Sequence, residues 1–191
     1  MRWYARPEGD KQQLTVAPQP ASWMPFDHPD QVRLRKFLAA TEPLLADSRV
    51  DGPWALRLDV GLPTGQDPFK AADLDNYAHP LVSRLKDSDL VSVWCTKQNS
   101  EQSFLRIEAA REKTPPPSTD VLVARPTASY TKPAYKEQIR AVVAGEAELA
   151  AGAVRLELAF VVGPGRNWLE LWKPTIDALD PLLGRDPSDR D

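Results

Sequence analysis

The chain is predicted to be α/β, of the α+β type, built as two tandem repeats, each a mixed β-sheet with helices packed on it. Three observations predict this. Trp54, Leu56, Leu58, Val60 and Leu62 alternate with Ala55, Arg57, Asp59 and Gly61, the period of a strand with one buried face. Leu74, Tyr77, Ala78, Leu81, Val82 and Leu85 then recur at helical spacing, so the period switches from two to about 3.6 across a loop containing Pro and Gly. The alternation returns from Val154 to Val162, where Leu156, Leu158, Phe160 and Val162 face away from Arg155, Glu157, Ala159 and Val161. The segments Arg57-Leu-Asp-Val and Arg155-Leu-Glu-Leu start at 57 and 155, which reads as an internal duplication with a period of roughly 100 residues.

Composition narrows the function classes. With 42% hydrophobic and 27% charged residues the chain has enough apolar side chains to bury a core. A net charge of −3 and a pI of about 5.5 argue against a broadly basic surface, so any nucleic-acid contact must rest on local patches. No stretch approaches the roughly 18 apolar residues of a membrane span, and Met1-Arg-Trp-Tyr-Ala-Arg-Pro-Glu lacks the apolar core of a signal peptide. The expectation is a cytoplasmic protein with no membrane partner. One cysteine, Cys95, excludes an internal disulfide and a cysteine-based metal site, and reads as a structural thiol in a strand.

Residues 1–26 form an N-terminal segment with isolated tryptophans, Trp3 and Trp23, and no assigned chemistry. The first repeat is expected over 27–113. Asp27 is the expected cap and Pro29 the first turn of a helix whose apolar stripe is Val32, Leu34, Leu38, Thr41 and Leu45. Arg33, Arg35 and Lys36 lie mostly off that stripe and read as a solvated face. The strand 54–62 and helix 74–85 follow, then strands Leu90–Thr96 and Ser103–Ala109, with Gln98–Gln102 expected as a hairpin loop between them. Thr114-Pro-Pro-Pro-Ser-Thr119 continues neither helix nor strand, so 114–120 is a linker. The second repeat is expected over 121–191: a strand Val121–Ala124, a helix from about Pro133 to Ala150 with Ile139, Val142, Val143 and Leu149 inward, and the strand 154–162.

The stretch with chemical content is Lys70-Ala-Ala-Asp73-Leu-Asp75-Asn76-Tyr77, with Asp87 and Asp89 one short helix further on. Close carboxylates at a strand-to-helix turn are what a hard divalent cation requires. Asp and Asn are equally the preferred helix caps, which is the competing reading. An EF-hand loop is excluded: counting from Asp73, the positions needing Gly and Glu hold Ala78 and Arg84. Nor is there a Walker-type loop, and Gly163-Pro-Gly165 reads as a turn.

At these residues the chain resembles the RusA-type Holliday junction endonucleases, α/β homodimers. The likeness lies in an alternating strand, a loop, Asp73-Leu-Asp75-Asn76, a short amphipathic helix, and the turn Asp87-Ser-Asp89 leading into Leu90-Val-Ser-Val, with Lys97 further along. The resemblance implies Mg²⁺ (or Mn²⁺) held by Asp73, Asp75 and Asp87, with Asp89 replacing Asp87 if the loop slips by two, and cleavage of branched DNA. Where the family carries a lysine on the helix after the motif, this chain has His79 followed by Pro80, and His79 is the candidate for a proton or partial charge. In the second repeat Thr175 falls at Asp73, Asp177 at Asp75, Ala178 at Asn76 and Asp189 at Asp87, while a gap aligning Pro181 with Pro80 puts Ile176 opposite Asp75. Either register leaves the second site short of acids, and the repeat reads as truncated. The resemblance thus implies a pseudo-dimer within one chain, or a homodimer of two. Candidate DNA contacts are Lys132, Lys136 and Arg140 on the second long helix and Arg106, Arg111 and Lys113 near the first hairpin. The competing function is a RusA-like scaffold without catalysis that binds DNA or protein.

Overall fold

The computed structural model describes residues 1–48, 50–85, 89–117, 121–150, 152, 154–163 and 168–184. The fold is mixed α+β, with helices and two sheets. The chain forms two compact units, Tyr4–Lys113 and Thr114–Asp191, the second also containing Met1–Trp3. Among the described residues no helix is long and apolar enough to cross a membrane.

The short strand β1 is Trp3–Tyr4, and the first unit holds strand β2 (Gln12–Gln13), helix α1 (Pro29–Asp47), strand β3 (Trp54–Leu62), helix α2 (Leu74–Leu85), and strands β4 (Leu90–Asn99), β5 (Phe104–Ala109) and β6 (Glu112–Lys113). β1 pairs with β6, and the main sheet runs β2-β5-β3-β4. β3 is central because its alternation gives it a wholly apolar face, with Leu56 and Leu58 fully buried and Val60 and Leu62 nearly so. It pairs in parallel with β4, through the crossover helix α2, and antiparallel with β5.

The expected β4–β5 hairpin is therefore absent, since β3 lies between the two strands. Their connection instead crosses the end of β3 at Gly61. A Cβ there would lie 2.5 Å from the Ser100 carbonyl oxygen and closer still to that of Gln102, so only glycine admits the crossing. The Gly61 amide donates to Ser103 Oγ at 2.9 Å, fixing the loop to the strand it passes.

Each helix buries one stripe, and α2 packs on β4 and against α1. α2 turns Tyr77, Ala78, Leu81 and Val82 inward, as the helical spacing predicts. On α1 the buried residues are Leu34, Phe37, Thr41 and Leu45, while Val32 is exposed. Phe37, fully buried, takes the place expected of Leu38, and the Thr41 hydroxyl meets its hydrogen-bond need by donating to the Phe37 carbonyl at 2.8 Å. The cap of α1 is His28 rather than Asp27: its Nδ1 accepts the Asp30 amide at 3.2 Å, with Pro29 in the first turn as expected.

Pro80 sits inside α2. Lacking an N–H, it leaves the carbonyl of Asn76, one turn earlier, without its helical donor. The Ala21 amide donates to that carbonyl at 2.7 Å, which pins the N-terminal segment to the first turn of α2.

The second unit is helical in its described residues. α3 (Pro133–Val143) packs Tyr135, Ile139 and Val143 against Ala178 and Leu179, which lie in a run of short helical turns: a 3-10 turn Trp168–Leu171, α4 (Trp172–Ile176), a 3-10 turn Asp177–Leu179 and α5 (Asp180–Leu183). α3 ends at Val143 instead of near Ala150; turn residues Ala144 and Gly145 follow, and Leu149 is exposed. The expected strands 121–124 and 154–162 do not form: among the described residues these stretches pair with nothing, and Val154, Leu156 and Val161 are exposed. Alternation supplies a strand's faces but not its partners, and no described run of this unit supplies one. The mixed sheet expected of a second repeat is thus not found among these residues.

Candidate functional site

The acidic turn lies at the carboxyl ends of the parallel pair β3 and β4, where open α/β sheets place ligands. β3 delivers the chain into loop 63–73, which Asn99 holds by donating to the carbonyls of Gln66 at 2.7 Å and Pro63 at 3.2 Å. Asp67 then folds the approach, accepting the Phe69 amide at its side chain and the Lys70 and Ala71 amides at its carbonyl. Asp73 immediately precedes α2 and accepts the Asn76 amide at its carbonyl at 3.1 Å; Asp75 sits in the first helical turn. The positive end of the helix favours both carboxylates there. Asp73 is exposed and Asp75 half-buried, and His79, four residues on, shares Asp75's side of the helix.

A cation completes this corner. Val60 pairs with Lys97 and Leu58 with Cys95, which puts Lys97 and Cys95 on the sheet face that α2 covers. Lys97 Nζ donates to the carbonyl oxygens of Ala72 at 2.9 Å and Ala71 at 3.3 Å, the two residues before Asp73. Asp75 and Lys97 are both close enough to act on the Cys95 thiol. Its burial, with the carboxylates of Asp59 and Asp75, pushes the thiol far above its ordinary range, against the opposing pull of Lys97. Cys95 is held as a neutral thiol and is no nucleophile.

The later acids are placed elsewhere. Asp89 precedes β4 and its carbonyl accepts the Trp54 amide at 2.8 Å, beside the start of β3. From Asp75 it is separated by the length of α2, about 18 Å at ~1.5 Å per residue. Metal–oxygen bonds span about 2 Å, so Asp89 of the same chain cannot share an ion with Asp73 and Asp75. Asp87 and Asp189 lie outside the described residues. Among the described residues no group of three or more His, Cys, Asp or Glu side chains is arranged to hold a metal. What the acidic turn offers is two carboxylates, which fits the habit of Mg²⁺: one or two carboxylates, with waters and substrate phosphate completing the shell. It does not fit a cage built wholly of protein ligands.

The expected DNA-contacting cations are mostly engaged within the protein. Arg106 ion-pairs with Asp59 and donates to the Gly9 carbonyl at 3.2 Å, on the sheet face opposite α2. There Arg57 also pairs with Asp59 at 2.8 Å, and Thr96 donates to it at 2.7 Å. Burial alone would raise the Asp59 carboxyl, but Thr96, Arg57 and Arg106 together hold it below its ordinary range. Arg111 pairs with Glu108 at 3.1 Å, and the Lys113 ammonium lies 5.9 Å from the Trp94 ring centre. In the second unit Lys136 pairs with Asp177 and Arg140 with Asp180, both at 2.8 Å. Lys132 is exposed at the cap of α3. Asp177, placed opposite Asp75 by the repeat, is thus the counter-ion of Lys136, with Lys173 at 3.5 Å. These pairings arise across elements distant in sequence, which spacing does not reveal. Lys97 is the site residue that spacing leaves without a role; the signal is the strand-helix-strand pattern itself, which returns the end of β4 to the end of β3.

No protein-family model matches the chain, and no curated protein or solved structure matches it.

Proposed function

We propose that this protein is a metal-dependent endonuclease that cleaves phosphodiester bonds in branched DNA, in the manner of the RusA-type resolvases it resembles. The observation that carries the reading is the Lys97 ammonium, 2.9 Å from the carbonyl of Ala72, the residue before Asp73, at the end of a parallel strand pair. Asp73 and Asp75 would hold Mg²⁺ or Mn²⁺; Asp87, the third acid that the resemblance implies, lies outside the described residues. The bound ion would supply a water of lowered pKa and neutralise phosphate charge. Lys97 offsets charge that develops on the phosphate, the task the family gives to a helix lysine, and His79 is positioned to donate or accept a proton on Asp75's side of the helix. The site belongs to the first unit, so two matched cuts in a junction require two copies of the chain.

The test is cleavage of a synthetic four-way junction beside matched duplex and single strand, with Mg²⁺ or Mn²⁺. Asp75→Asn and Lys97→Met should each lower junction cutting by about 100-fold or more while leaving the thermal midpoint within a few degrees. Cutting that persists in Asp75→Asn, or no cutting by the folded wild type at any concentration of either metal, refutes the assignment. A second reading, a scaffold that binds DNA or protein without catalysis, is favoured by one observation: Arg106, Arg111, Lys136 and Arg140 are each already paired with a carboxylate.

A further inference from the structure

Strand β4 is ten residues long and lies at the edge of the main sheet. The ladder shows which of its backbone groups face outward. Leu62 pairs with Asn99, and the Ser100 amide donates to the Leu62 carbonyl at 2.9 Å, so Leu62 turns both backbone groups to β4 and Asn99 turns its own away from β3. The register then holds without a shift from Leu62 back to Ala55, and these groups alternate in direction along a strand. Val93, Cys95 and Lys97 therefore also point N–H and C=O out of the sheet. Among the described residues no hydrogen bond reaches these groups, and β4 pairs with β3 alone.

An edge of this kind is a template for another strand, and proteins blunt it with proline, charge, a bulge or shortness. Over 93–97 β4 has none of these. It contains no proline, its one charge, Lys97, is drawn to the carbonyls of Ala71 and Ala72, and the only register shift lies at its start. The opposite edge, β2, is two residues long. The apolar face is also unfinished at this edge: Val91 and Val93 are half-buried, whereas Leu56, which pairs with Val93, is fully buried.

The occupant that fits is β4 of a second copy. Antiparallel pairing about a two-fold axis at Cys95 sets Val93 of each copy against Lys97 of the other, and every outward N–H and C=O of the three residues finds a partner. Trp94 falls opposite Thr96 and Ser92 opposite Gln98. The only charge on the strand lands on Val93, so no like charges meet.

We propose that two copies of this chain associate through β4, making one sheet continuous across both, with an acidic turn at each end of the paired strands. The nuclease reading supplies only its purpose, the two sites that matched cuts need. Sedimentation equilibrium of the full chain, without DNA or metal, should show a dimer with a dissociation constant of about 10 μM. Val93→Pro deletes an outward N–H and no bond to β3, and should weaken the dimer by about tenfold or more with an unchanged circular dichroism spectrum. Ser92→Cys combined with Gln98→Cys should link two copies by disulfides under air oxidation, because these residues face each other in a non-hydrogen-bonded pair with Cα atoms about 4.5 Å apart. Neither single variant should link, and this readout stands even where Val93→Pro fails to fold. Wild type that stays monomeric at about 100 μM overturns the proposal, as does a dimer that survives in folded Val93→Pro. A dimer whose paired cysteines stay reduced overturns it in favour of a different strand at this edge, residues 154–162 of the second copy. A cross-linked dimer that never cuts DNA supports the interface and refutes the nuclease, and junction cutting by a monomer does the reverse.

Discussion

Two stretches of this chain carry the same alternation and the same Arg-x-acid pair, and they end in different states. Trp54–Leu62 is the central strand of a sheet, flanked by β4 and β5, with Leu56 and Leu58 fully buried. Residues 154–162 form no strand, and Leu156 is 37% exposed. Even the pair recurs: Arg57 lies 2.8 Å from Asp59, and Arg155 lies 2.7 Å from Glu157. The Arg57 side chain is 13% exposed where Arg155 is 63% exposed. The local pattern is common to both, so the difference lies in what surrounds it. Burial and pairing convert an alternating sequence into a strand, and those come from elsewhere in the chain.

The sharpest way to break the comparison is to truncate matched apolar residues. Leu58→Ala should cost about 2–5 kcal/mol in urea unfolding, because it opens a cavity between β3 and its neighbours. Leu156→Ala should cost less than about 1 kcal/mol. Equal losses would mean that 154–162 is as deeply packed as β3. Next in size is the loop crossing. Gly61→Ala should cost about 1–3 kcal/mol, since its Cβ meets two backbone carbonyls, while Gly145→Ala, with nothing within 4 Å, should stay within about 1 kcal/mol of wild type. The smallest effect is read from a pH slope. Asp59 is held below its ordinary range in the fold, so its contribution is complete above the unfolded carboxyl value of about 3.8 and is lost as pH falls through the folded value. Chemical denaturation between pH 5 and 2 should show a shallower acid limb for Asp59→Asn than for wild type, and an unchanged limb would remove Asp59 from the acid-sensitive set.

Much of the first unit was legible because it is written locally. The faces of β3 and α2 follow from their periods, and the Pro29 start of α1 from backbone chemistry. What was not legible is long-range. The hairpin between β4 and β5 is a sound local reading, overturned because β3 inserts between them, and no spacing in 90–109 announces that. Phe37 rather than Leu38 is buried on α1, because the phase of a helix's inner face is set by what it packs against, which spacing does not show. The candidate site divides the same way. Asp73 and Asp75 stand out by residue type, while the carbonyls that hold Lys97 and the sheet's length that keeps Asp89 away appear only in three dimensions. Arg106 and Arg140 were readable as cations but not as the partners of Asp59 and Asp180.

The proline within α2 has a consequence for the order of assembly. The carbonyl it frees on Asn76 becomes a docking point only when α2 has coiled and laid itself on β3 and β4. Residues around Ala21 leave the ribosome well before that surface exists. The earlier stretch therefore depends on the later one: Ala21 finds its acceptor on Asn76 only where α2 has coiled around Pro80.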